Sequence, residues 1–147
     1  MRIALFVLLV LAALARPVSA YNEGATLPDP QAWLQEFITG LRGANDDILA
    51  STLSRGFGEE LERSRTRIAG IKPIARQEVP HYVELAHQCS LGDIASYVTL
   101  GVYYPGGPLL YVGIDFQRRQ QGWVITQFLY GENPLSIFDR LPRACGA

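Results

Sequence analysis

Between Ile94 and Tyr130 lie three runs rich in β-branched and aromatic residues, separated by turn signals, and this spacing predicts an antiparallel meander. The breakers Pro105-Gly106-Gly107-Pro108 fix a hairpin, and burial decides its register. A three-residue loop, 105 to 107, sets Val102 opposite Leu110, Leu100 opposite Val112, Val98 opposite Ile114 and Ser96 opposite Phe116, so every pair but one is apolar. A four-residue loop sets Val98 against Asp115 and Leu100 against Gly113, so burial selects the shorter one. The opposite face then carries Tyr97 across from Asp115, Thr99 from Gly113, Tyr111 from Gly101 and Tyr103 from Leu109. The last run, Trp123 to Tyr130, is apolar on both faces; its register stays open, and it reads as a central strand or one covered twice.

Upstream the apolar period is 3.6 instead of 2. Asp29-Pro30 supplies an acidic N-cap and a proline at the first helical position, and Trp33, Leu34, Phe37, Ile38 and Leu41 follow as one stripe that reads as core. Gly43 stops this helix. Asn45-Asp46-Asp47 opens a second one bearing Ile48, Leu49, Leu53 and Phe57, with Gly56 and Gly58 around its end. In a third segment, about Glu59 to Ile68, Glu59, Glu60 and Glu62 precede Arg63, Arg65 and Arg67. Acid first and base last suits the helix macrodipole, with Glu59 and Arg63 as an i,i+4 pair. The cluster reads as a solvated face; the alternative is an anion site that includes Lys72 and Arg76.

Beyond Pro73 alternation sets in, with Val79, His81, Val83, Leu85, His87 and Cys89 on one face of a strand and Tyr82, Glu84, Ala86 and Gln88 on the other. The two histidines stand about 20 Å apart on a regular strand and cannot share a metal ion. No metal set and no cofactor motif is expected. Cys89 and Cys145 are the only cysteines. In an oxidising compartment they read as one disulfide tying the tail to the body, worth about 4 kcal/mol in the chain-entropy model. Two free thiols are the alternative. Leu135, Ile137, Phe138 and Leu141 are suited to clip the tail onto the body.

Residues 1–20 read as a signal peptide: Arg2 is the basic region, Ile3 to Ala15 the apolar run, and Val18-Ser19-Ala20 the cleavage signal before Tyr21. Thirteen apolar residues are too few to span a bilayer, so no stable membrane anchor is expected after cleavage. Residues 21–147 are the length of a single domain. Cleavage removes two of the 13 basic residues and none of the 14 acidic ones, leaving a formal net charge of −3. That balance argues against nucleic acid as a partner. The expected location is outside the cytoplasm, in the periplasm or secreted.

Helices followed by a meander, with Gly122, Trp123 and Ile125 as a Gly-Trp-x-Ile start to the final strand, resemble the cone-shaped NTF2-like superfamily, and within it the small exported members. The α+β class follows from the periodicities themselves. The resemblance implies a curved sheet under N-terminal helices and a pocket between the two layers. It also implies an enzymatic alternative of the ketosteroid isomerase or dehydratase kind, for which Asp115 as base and Tyr97 as oxyanion donor are the candidates. In the register above these two project away from the helix-covered face, and an exposed Asp there lacks the environment that tunes a catalytic pKa. The preferred expectation is therefore a non-catalytic binding or interaction module, with Tyr97, Tyr103, Tyr111 and Asp115 forming the surface for a protein partner or a second copy. A half-wet sheet face explains the same tyrosines without a partner. An apolar small molecule inside the cone is the third reading.

Overall fold

The computed structural model of the chain describes residues 26–71 and 79–145. Residues 1–20 with the expected cleavage before Tyr21, and Lys72, Pro73 and Arg76, lie outside the described residues. Three helices come first: α1 (Pro30–Arg42), α2 (Asp46–Phe57) and α3 (Leu61–Ile71). The strands β1 (Tyr82–Leu91), β2 (Ala95–Tyr103), β3 (Leu109–Arg119) and β4 (Gly122–Gly131) follow, then the short α4 (Leu135–Phe138) and a 3₁₀ turn at Arg143–Cys145. The described strands form one antiparallel sheet in the order β1-β2-β3-β4. The fold is α+β, with the helices layered on a curved sheet.

Caps set the helix ends as the sequence requires. The Asp29 carboxylate accepts from the backbone N–H of Gln31 at 2.8 Å and of Ala32 at 3.3 Å, and Gly43 closes α1. Asn45 accepts from the Ile48 N–H at 3.0 Å, and Gly58, at φ +62°, ends α2 in the left-handed conformation. The third helix departs from expectation because it starts at Leu61, leaving Glu59 outside it. The i,i+4 pairing of Glu59 with Arg63 is thereby lost. Glu59 accepts instead from Ser64 Oγ at 2.7 Å and from Arg67 Nε at 3.0 Å, while the Arg67 guanidinium sits 4.5 Å from the Phe57 ring centroid. Arg65 is paired with Glu62 and Asp47.

β2 and β3 pair in the register that burial selects, from Ser96 on Phe116 to Val102 on Leu110. Val98, Leu100, Val102, Leu110, Val112, Ile114 and Phe116 are all buried on the helix side. Trp33 stacks on Phe37 at 5.1 Å, meets Phe116 edge-on at 5.5 Å, and donates from Nε1 to the Thr52 carbonyl at 2.6 Å. Phe128 meets Phe37 at 5.7 Å. These rings occupy the space between helices and sheet where the resemblance places a pocket. A Cβ on Gly56 would collide with Ile125 Cδ1 and stand 2.9 Å from Trp33 Nε1, so only glycine lets α2 come this close.

Two bulges change the faces. In β1, Leu85 pairs with Leu100 and His87 with Thr99, so Ala86 is the extra residue and His87 and Cys89 move to the side away from the helices. The uniform alternation expected from Val79 to Cys89 therefore breaks at Ala86. In β4, Asp115 pairs with Gln127 and Phe116 with Ile125, which makes Thr126 the extra residue. Ile125, Phe128 and Tyr130 then face the helices while Val124, Gln127 and Leu129 face away. β4 is an edge strand, not a central one. Its apolar character on both sides comes from cover on both sides.

Candidate functional site: the outer sheet face

Register places the outer face in rows. Tyr82, Tyr103 and Leu109 form one; Glu84, Gly101 and Tyr111 the next; then His87, Thr99, Gly113 and Leu129; then Cys89, Tyr97, Asp115 and Gln127. The four candidates Tyr97, Tyr103, Tyr111 and Asp115 thus share one face, with Tyr97 and Asp115 directly opposed.

This face is not open along its whole length. The C-terminal segment crosses it: Ile137 is buried, and a Cβ on Gly113 would stand 2.8 Å from its Cγ2. The Phe138 ring meets His87 edge-on at 6.1 Å and Tyr111 at 6.2 Å. Cys145 is bonded to Cys89, with Cα atoms 5.6 Å apart, which settles the choice between disulfide and free thiols. His87 Nε2 and Thr99 Oγ1 are buried beside each other in register and have no hydrogen-bond partner among the described residues. Packing and the disulfide, more than polar bonds, hold the cover over this row.

Cover alters Asp115. Burial pushes its carboxyl up to about 6, against the opposing pull of Arg140 from the tail. Gln127, with its amide turned to satisfy both ends, donates to Asp115 Oδ2 at 2.8 Å and accepts from Arg140 Nη1 at 3.0 Å. Asp115 is therefore not the exposed carboxylate of ordinary pKa that alternation alone predicts. What the carboxylate holds here is a side-chain bridge from the sheet to the tail.

The two rows beyond the tail carry a different arrangement. The Tyr82 and Tyr103 rings stack at 4.6 Å and 16°, and both hydroxyls donate to the Glu84 carboxylate, Tyr103 to Oε1 at 2.6 Å and Tyr82 to Oε2. These bonds hold the Glu84 carboxyl below the usual carboxylate range, Tyr103 contributing most. In return the Tyr103 hydroxyl is pushed up to about 12, by Glu84 first, with Tyr111 adding to the shift. Gly101 lies beneath: a Cβ there would be 3.4 Å from the Tyr103 ring and 3.5 Å from Glu84.

Alternation in the sequence places Tyr82 and Glu84 on the same side of their strand, though neither stands among the candidates above. The signal was present in the alternation, but the pairing of β1 with β2 was needed to set them against Tyr103 and Gly101. Tyr97 and Asp115, nominated together, lie instead in the row of the disulfide. No protein-family model matches the chain, and no curated protein matches it in sequence. It is similar to the solved structure of a DUF4783 family protein from Bacteroides ovatus, at 14% identity and a TM-score of 0.49, covering 75% of this chain and 98% of that one. It is also similar to a protein from Thiobacillus denitrificans described as a calcium/calmodulin-dependent protein kinase type II association domain, at 11% identity and a TM-score of 0.45, covering 74% and 98%.

Proposed function

We propose that the chain is an exported NTF2-like module that works without chemistry, as a periplasmic accessory or inhibitor protein that docks another protein on the outer face of its sheet. The observation that carries this reading is the division of that face. The tail covers the rows of His87 and Asp115 and its Phe138 borders Tyr111, whereas Tyr82, Glu84 and Tyr103 form an aromatic and charged patch beyond it, with Tyr82 43% exposed. Tyrosine-rich patches of this kind are enriched at interfaces because the ring supplies area at low entropy cost and the hydroxyl supplies a donor. On the other side of the sheet the apolar residues are already buried against the helices. Export accounts for the Cys89–Cys145 disulfide.

The test compares the chain with the Tyr82→Ala/Tyr103→Ala/Tyr111→Ala variant, each isolated from its native envelope fraction and run in sedimentation velocity. The expected result is a dimer or partner complex for the first and a folded monomer for the second. The same complex from both overturns the reading. One feature favours the enzymatic alternative, namely a half-buried Asp115, its carboxyl pushed up to about 6 by burial, opposite Tyr97. A turnover abolished by Asp115→Asn in a folded protein would move the assignment there.

A further inference from the structure

We propose that Glu84, with the rings of Tyr82 and Tyr103, forms a receptor for an arginine side chain of the docked protein. This rests on the reading of the outer face as a docking surface and adds the chemistry of the partner to it.

Glu84 sits in a built geometry without a cation beside it among the described residues. Glu84 is held ionised by its two tyrosine hydroxyls, yet no lysine, arginine or histidine among the described residues lies within 4.0 Å of it. Glu36, Glu59 and Glu62, by contrast, each have an arginine of this chain: Arg55, Arg67 and Arg65. A carboxylate has about four lone-pair sites, two on each oxygen. The tyrosines take one on each oxygen and so fix the plane of the group. Two acceptor sites remain, the number that a guanidinium fork fills.

The rings complete the site. A cation over a tyrosine face, within about 6 Å of its centroid, is attracted by the ring quadrupole. The two rings are already stacked and their hydroxyls already engaged, so little side-chain freedom is lost when a ligand arrives. Both phenols stay neutral through the physiological range, since their hydroxyls are pushed up, Tyr103 to about 12. Gly101 lets the Tyr103 ring and the Glu84 stem settle against the strand. Arginine fits better than lysine because its planar group stacks on a ring and pairs with a carboxylate at once.

The probe is an acetylated and amidated Gly-Arg-Gly-Arg-Gly peptide, with a twin in which citrulline replaces arginine. Both are titrated into the folded chain and followed through backbone amide and tyrosine ring NMR signals. The expected result is that the arginine peptide shifts Tyr82, Glu84, Gly101 and Tyr103 and the citrulline twin does not. Glu84→Gln should weaken binding about fivefold at low salt, less as salt is raised. Equal binding of the two peptides, equal binding by Glu84→Gln, or shifts confined to Asp46 and Asp47 overturns the proposal. The two readings fail separately. If the triple tyrosine variant loses the native complex while the arginine peptide is ignored, the docking face stands and the arginine receptor falls. If the native complex survives the triple variant while the peptide binds, the receptor stands and the docking role falls.

Discussion

Asp115 stands opposite Tyr97 on β2 and beside Gln127 on β4, and Arg140 reaches toward it from the tail. Its folded pKa of about 6 lies above the ordinary 3.8 because burial disfavours the charged form. A raised carboxyl pKa means the folded chain binds the proton more tightly than the unfolded one does. The stability this group contributes is therefore fully present below about pH 4 and is lost as pH rises through about 6. One pKa unit corresponds to about 1.4 kcal/mol, and solvent screening at a half-buried site reduces the whole effect to about 1–2 kcal/mol. Thermal unfolding between pH 4 and 8 checks this: Asp115→Asn should flatten that part of the profile, and an unchanged slope would place the titration elsewhere. The position of Asp115 was legible in the sequence, since alternation and one turn set it opposite Tyr97. Its environment was not: the apolar tail residues and Cys145 showed that the tail returns to the body, but not that Arg140 and its neighbours lie over the Asp115 row. The pairing of Glu59 with Arg67 was hidden for a similar reason, as a helix start two residues later than expected exchanges one arginine for another.

The elements show which kinds of pattern carry information. β2 and β3 were readable to the residue because each buries one clean face against the helices, and a one-residue slip would invert it. β1 and β4 were not, since each holds one extra residue, Ala86 and Thr126, and a bulge reverses the alternation without a compositional mark. For β4 this explains why its register stayed open, since strict alternation puts Ile125 and Phe128 on opposite faces whereas both face the helices. The tail is the element with the most specific consequence. It rests on the sheet through Ile137 in the notch above Gly113, Phe138 between His87 and Tyr111, and the bond from Cys145 to Cys89. Cys145→Ser should release its end and lower stability by about 2–4 kcal/mol. Amide hydrogen exchange should then rise across residues 132–145 and in the Gly113 row while β2 stays protected. Gly113→Ala should loosen the same segment with the disulfide intact, because the added Cβ pushes on Ile137. If exchange in the tail is unchanged in both variants, these contacts are not what holds it.

At the scale of the molecule, helices cover one side of the sheet and a tethered tail crosses the other over the rows of His87 and Asp115. Beyond the tail lies a patch in which Glu84, held below the usual carboxylate range by two tyrosine hydroxyls, has no ion-pair partner among the described residues, on a chain to which the proposed removal of residues 1–20 gives a formal net charge of −3. A basic protein surface is the complement of such a patch, and its association should weaken as salt rises, because exposed charges are screened beyond about a Debye length. The Cys89–Cys145 bond fastens the end of the tail where cysteines are oxidised, so the proposed export and the cover on the outer face are linked. Native mass spectrometry of the chain from its own envelope fraction, without reductant, measures both together. The expected species starts at Tyr21, weighs two hydrogens less than the reduced chain, and flies as a dimer or partner complex that dissociates with salt. A species retaining residues 1–20 would remove the export reading. A reduced mass would leave the tail untethered and the division of the face without its fastening. A monomer carrying extra mass that departs on denaturation would instead mean that a small molecule has entered between helices and sheet, which requires Trp33, Phe37 and Phe128 to separate from the packing they form here.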